Sequence, residues 1–124
     1  DEFMLYIFSR PQKACFYGED FILYTIKLLQ TKNYKKKYLL YAAHDTNLLA
    51  ILSLLNHKLK ILPPYLSNLR FQVFKNINNG NFFVRTSFNG QNIKFCRSSN
   101  TCTLKEFITV LKNNVKNKCN TPIV

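Results

Sequence analysis

YLLYAAHDTNLLAILSLL, residues 38–55, is the stretch whose reading decides the fold. Tyr38 to Ala43 form a short continuous apolar run, the pattern of a strand buried on both faces. Asp45 or Thr46 can cap the next element, and NLLAILSLLN is apolar nearly all round, as a buried helix is. Strand, tight polar joint and buried helix make a β-α unit of an α/β core. The joint carries His44 and Asp45. Asp is a good helix cap, and a His beside it needs no further role. Yet the carboxyl end of a buried strand is where open α/β sheets hold their ligands. The helix that starts there also turns its free N–H groups and positive dipole end toward the same spot, which favours an anion such as phosphate. A His can donate to a phosphate oxygen, and an Asp can hold a proton for a leaving group. Both readings, cap and site, stand on the residues alone.

Working outward, GEDFILYTIKLL places Phe21, Ile22, Tyr24, Thr25, Leu28 and Leu29 at intervals of three and four. This predicts an amphipathic helix from Gly18 to about Leu29, with Glu19 and Asp20 at its positive N-terminus. TKNYKKK is a polar loop. After Leu62, Pro63-Pro64 ends the preceding element and sets an extended approach. In NLRFQVF, Leu69, Phe71 and Val73 alternate with Arg70 and Gln72, a half-buried strand. NINNG turns around Asn79-Gly80 into a second strand, NFFVRTSF, so the two form a hairpin. Asn89-Gly90 is a further turn signal. Thr103 and Glu106 have capping-box spacing, and LKEFITVLKNNV then reads as a closing helix with Leu104, Phe107, Ile108 and Leu111 on one face. Neither an internal repeat nor a low-complexity linker interrupts the pattern, so residues 1–124 read as a single unit.

The 47% hydrophobic and 15% aromatic content is ample for a packed core and excludes wholesale disorder. The chain opens Asp1-Glu2-Phe3 without an initiator Met, as a processed or excised segment does. No signal-peptide pattern and no apolar run of roughly 18 residues occurs, so the segment itself is expected to be soluble. The net charge of +12 raises nucleic-acid binding as a function. The lysines are spread from Lys13 to Lys118, however, with one tight cluster at Lys35-Lys36-Lys37, and no zinc-finger or RNP-type pattern accompanies them. A solvated basic surface is the better account of the charge, and no nucleic acid is expected as partner.

Cys15, Cys96, Cys102 and Cys119 contain no CxxC set and lie far from the two His, which argues against zinc. Cys96 and Cys102 bracket a short polar turn, RSSNT, and can close a local disulfide loop, which would place the chain in an oxidising compartment. Two buried free thiols are the alternative. The absence of an Asn-x-Ser/Thr sequon leaves no ordinary N-glycosylation site.

Taken together, these stretches resemble a known family. YLLYAAHDTNLLAILSLL is similar to the C-terminal signature of the histidine acid phosphatases, branch two of the histidine phosphatase superfamily. In that family a core strand ends in Tyr-Ser/Ala-Ala-His-Asp-Thr and opens a buried helix. LPPYLSNLRFQVF resembles the family's Leu-Pro-Pro-Tyr-Ala-Ser stretch and following strand. GNFFVRTSFNG resembles its Gly-x-Tyr-x-Val strand and Tyr-x-Asn sequel, and FCRSSNTCTLKEF its small disulfide loop with Leu-x-x-Phe at a helix start. GEDFILYTIKLL falls where the family has a Gly-led helix. The features are collinear from about Tyr17 to Cys119.

The resemblance implies the C-terminal part of a three-layer α/β/α histidine phosphatase core, comprising the β-α unit, the β-hairpin and the closing helix. It implies hydrolysis of phosphate monoesters at acidic pH through a phosphohistidine intermediate, without metal or cofactor. His44 would donate a hydrogen bond to the phosphate. Asp45 would protonate the leaving alcohol and then deprotonate the attacking water, with Thr46 capping the helix. An acidic working pH suits a carboxylic acid whose reference pKa is about 3.9. The family's nucleophilic His comes from an Arg-His-Gly motif, and none occurs in these 124 residues. His57, in LLNHKLK, reads as an exposed helix-end residue instead. The phosphate-binding arginines of the family lie upstream as well and are not carried over to Arg10, Arg70, Arg85 or Arg97. The implied partners are therefore a phosphate monoester and an N-terminal phosphatase segment bearing the nucleophile. That segment would also cover a hydrophobic strand edge. A homodimer is compatible with this reading. The alternative is a catalytically inactive phosphatase-like structural or interaction subunit. Cys96–Cys102 resembles the family's local disulfide, and Cys119 its last Cys, which pairs upstream. Cys15 has no counterpart, and bonds either Cys119 or a cysteine of the upstream segment. The resemblance places the chain in a secreted or lysosomal/vacuolar lumen, with any membrane anchor lying outside this segment.

Overall fold

The computed structural model describes residues 11–30, 45–57, 59–60, 63–64, 66–96 and 101–119. Among them the chain is mixed α/β. Its helices are α1 (Pro11–Gln30), α2 (Asp45–Leu54) and α3 (Leu104–Cys119), and its strands are β1 (Leu69–Lys75), β2 (Phe82–Phe88), β3 (Gln91–Asn92) and β4 (Thr101–Thr103). The β half of the expected β-α unit, Tyr38 to Ala43, and the strand edge attributed to it lie outside the described residues.

The hairpin and the closing helix form as expected. β1 and β2 pair antiparallel from Leu69↔Phe88 to Lys75↔Phe82. Gly80, at φ 72°, sits in the left-handed region that the loop needs, and its N–H donates to the Asn76 carbonyl at 2.8 Å. Asn89 and Gly90 are both left-handed, at φ 51° and 81°, which is the signature of the two-residue type I′ turn. That turn sets Gln91 opposite Phe88 and so creates β3. Strand β4 pairs with β2 at Phe83↔Thr103, Val84↔Cys102 and Arg85↔Thr101. β2 is thus central, with β1 along one edge and β3 and β4 in tandem along the other. At the start of α3 the Glu106 N–H donates to Thr103 Oγ1 at 3.1 Å, the first half of the capping box.

The core lies between one face of this sheet and the helices. α3 buries Phe107, Leu111 and Val115, one every turn. Phe71 of β1 packs between helices, stacked on Phe21 of α1 with ring centroids 6.2 Å apart and edge-on to Phe107 of α3 at 5.4 Å. α1 contributes Ala14, Ile22, Thr25, Ile26 and Leu29, and the buried Thr25 hydroxyl donates to the Phe21 carbonyl at 2.8 Å.

α1 corrects the sequence-based boundary. It begins at Pro11 rather than Gly18, so Glu19 and Asp20 stand in its third turn and not at its N-terminus. Pro suits a first helical position because its missing N–H would have no partner there. Gly18 is a mid-helix residue kept small by packing. A Cβ there would meet Leu54 Cδ1 at 3.1 Å, Ile51 N at 3.2 Å and Ala50 C at 3.3 Å, so it lets α1 approach the α2 backbone. Gly18→Ala would gain up to about 1 kcal/mol of helix propensity and lose about 1–3 kcal/mol to overpacking against backbone that cannot rotate away. The variant is expected to unfold at lower denaturant than the parent in an equilibrium titration; an equal or higher midpoint would show that the helices separate at no cost.

Two disulfides hold the fold. Cys96–Cys102 closes the expected local loop and joins the middle of β4 to the segment before it. Cys15–Cys119 ties the first turns of α1 to the last residue of α3 across 104 positions. Cys119 thus pairs within the chain and not with an upstream cysteine as the resemblance implies, and Cys15 takes the first of its two open pairings, because α1 and α3 pack against each other and bring these positions to a Cα separation of 5.6 Å. No free cysteine remains.

Candidate functional site

Asp45 is the first residue of α2, so the His44-Asp45 dipeptide stands at the amino end of that helix. His44 and the side chains of Asp45 and Thr46 lie outside the described residues. The helix starts earlier than the sequence-based reading placed it. Asp45 and Thr46 belong to its first turn, where an acidic residue is favoured by the dipole.

α2 is a rigid support for whatever its first turn carries. Residues 49–55 are all buried, which is unusual for so short a helix and stems from its nearly unbroken apolar sequence. At its amino end Asn47 Nδ2 donates to the Tyr17 carbonyl of α1 at 3.3 Å. Its carboxyl end closes in a Schellman motif. Asn56 takes the left-handed position at φ 62°, the His57 N–H reaches the Leu52 carbonyl at 2.8 Å, and the Asn56 N–H reaches Ser53 at 3.1 Å. Lys118 Nζ, from the last turn of α3, donates to the Ser53 carbonyl at 2.7 Å, a cation on the negative end of the α2 dipole. Helix α2 is therefore fixed to α1 at one end and to α3 at the other. A side chain set on such an element is held more precisely than one on a loop.

His57 lies three residues past the opposite end of α2, a helix about 15 Å long at 1.5 Å rise per residue. It follows the helix as expected and is half-buried rather than exposed, because it borders a cleft of about 320 Å³ shared with Leu59, Pro63, Pro64, Phe88, Asn89 and Gln91. The structure does not bring this imidazole to the His44-Asp45 end. Arg70 and Arg85 stand on the outer face of the hairpin, away from the core, while Arg10 and Arg97 lie outside the described residues. Among the described residues no group of three or more His, Cys, Asp or Glu is placed to hold a metal.

Gly18, Asn47, Asn56 and Lys118 set the position of α2, and sequence reasoning singled out none of them for that role. Asn56 alone carried a signal, an Asn just past an apolar helical run. No protein-family model matches the sequence, and no curated protein matches it. The chain is thus defined by its own architecture: a mixed α/β unit with two disulfides and a buried helix opening at Asp45. The disulfides point to an oxidising, extracellular-type environment. Among the described residues no helix is long and apolar enough to cross a membrane.

Proposed function

We propose that this chain is the acid-bearing portion of a phosphate monoesterase of the histidine acid phosphatase type. The observation that carries the reading is the placement of Asp45 as the first residue of a helix anchored at both ends. The helix's positive end and first-turn N–H groups favour a phosphate there. His44 precedes it in the chain and serves as hydrogen-bond donor to a phosphate oxygen. A His of the N-terminal phosphatase segment attacks phosphorus, the bond to the leaving oxygen breaks, and Asp45 gives that oxygen its proton. Asp45 then takes a proton from the water that attacks the phosphohistidine, releasing phosphate and restoring the acid.

The docking of a further segment is supported by α1, whose Phe16 and Tyr24 rings are 76% and 49% exposed on the helix's outward side. The second reading is an inactive phosphatase-like subunit. It is favoured by the absence of Arg-His-Gly from these 124 residues. The two readings separate when the protein carrying the upstream segment is assayed on an aryl phosphate at acidic pH. Release of phosphate that requires that segment is expected; no release, with both pieces folded, supports the inactive subunit.

A further inference from the structure

The β1–β2 hairpin ends in an apolar, cationic tip that neither the core nor the proposed phosphatase chemistry uses. Ile77, at its apex, is 97% exposed, and Phe74 and Val73 are 40% and 37% exposed directly behind it. Single exposed apolar residues are ordinary, but here Val73 and Phe74, on opposite faces of the ribbon, and Ile77 beyond them leave the end of the hairpin apolar on both sides. The apex is also firmly built. The Asn76 N–H donates to the Asn81 carbonyl at 2.8 Å, and the Asn78 and Asn81 N–H groups donate to the side-chain oxygens of Asn76 and Asn79, each at 2.9 Å. Ile77 is thus held out by a bonded loop.

Cations lie flush with the aromatic rings of the tip. Arg85 sits over Phe74 at 5.7 Å from the ring centroid, Lys75 over Phe82 at 5.9 Å, and Phe83 stacks on Phe74 at 5.9 Å. The surrounding sequence is strongly cationic, with Glu106 of α3 the first acid after Asp45. From Thr46 to Lys105 there are eight Lys and Arg and no Asp or Glu. The rungs from Lys75↔Phe82 to Gln72↔Arg85 span about 10 Å at 3.4 Å per residue, the depth over which interfacial elements enter a bilayer surface.

We propose that this hairpin tip docks on an anionic lipid surface, with Ile77 and Phe74 entering the headgroup–acyl boundary and Lys75 and Arg85 facing lipid phosphates and carboxylates. Charge complementarity selects an anionic partner. The convex shape selects a bilayer, since a protein partner would have to offer a recess for Ile77. The inference rests on the hairpin alone and is independent of the phosphatase reading.

Sedimentation of the oxidised full chain with vesicles tests it. Vesicles of equal parts phosphatidylcholine and phosphatidylserine are expected to capture the chain, and phosphatidylcholine alone to capture far less. Lys75→Gln combined with Arg85→Gln is expected to weaken capture about 25-fold, at about fivefold for each cation near the surface. Ile77→Asn and Phe74→Asn are each expected to weaken it about tenfold, from the apolar area that no longer enters the lipid. Lys27→Gln, an exposed lysine on α1, leaves it within about twofold. These side chains are exposed, and far-UV circular dichroism confirms that each variant keeps its fold. Equal capture by the two vesicle types would overturn the proposal. So would equal losses from Ile77→Asn and Lys27→Gln, or capture by soluble polyglutamate that matches the anionic vesicles and ignores Ile77.

Discussion

Reduction of the Cys15–Cys119 bond is expected to lower the free energy of unfolding by about 4.7 kcal/mol, the chain-entropy value for a loop of roughly 100 residues. The bond spans 104 positions and so restricts almost the whole unfolded chain. A domain of this size is stable by about 5–15 kcal/mol in total, so the loss removes about 30% or more of it. Cys96–Cys102 spans only 6 positions, and the same relation gives about 2.4 kcal/mol. The two effects separate cleanly in variants that keep one bond each. In Cys96→Ala/Cys102→Ala, the difference in denaturant midpoint between the oxidised and reduced protein reports the long bond alone. In Cys15→Ala/Cys119→Ala it reports the short one. Equal drops would show that loop length does not govern their contribution, and no drop for the long bond would show that α1 and α3 stay together unaided.

The parts of the fold legible in the sequence are those whose physics is local. The hairpin could be read because alternation in β1 and the Asn79-Gly80 and Asn89-Gly90 turns each fix backbone geometry within a few residues. The closing helix could be read because Thr103 and Glu106 mark its start and its apolar face repeats every turn. α2 could be read as buried because its apolar residues leave no polar face. The start of α1 could not. Gly18 looked like a boundary, and only the proximity of the α2 backbone explains why a glycine stands mid-helix. Strands β3 and β4, at two and three residues, exist through their pairing with β2 and carry no pattern of their own. The Cys15 partner depends on how two helices far apart in the chain dock, which no spacing rule contains. The candidate site divides the same way. Its address, a polar pair opening a buried helix, was visible in residues 38–55, whereas the side chains that anchor that helix, Asn47 and Lys118, find their partners only in the folded chain.

On the proposed phosphatase reading, removing the Asp45 carboxyl is expected to have the largest effect on activity. General acid catalysis contributes about 10²–10⁴-fold, and its share grows as the leaving group becomes a poorer one. An alkyl alcohol needs a proton as its bond to phosphorus breaks; a nitrophenolate leaves without one. Asp45→Ala in the protein carrying the upstream segment should therefore lose alkyl phosphate hydrolysis by about 10³-fold, within that range. Transfer from a nitrophenyl phosphate to the nucleophilic His should survive. The second step should still slow, since in the proposed mechanism Asp45 also activates the water that cleaves the phosphohistidine. Asp45→Asn keeps the side chain's size while removing the proton donor, and is expected to behave alike.

The most direct test of the phosphatase reading is pre-steady-state release of nitrophenolate by wild type and Asp45→Ala, alongside hydrolysis of an alkyl phosphate. The expected result is a burst of about one equivalent of nitrophenolate from the variant, followed by slow turnover, with alkyl phosphate hydrolysis reduced about 10³-fold. Unchanged rates on both substrates, or equal losses on both without a burst, would contradict the role assigned to Asp45.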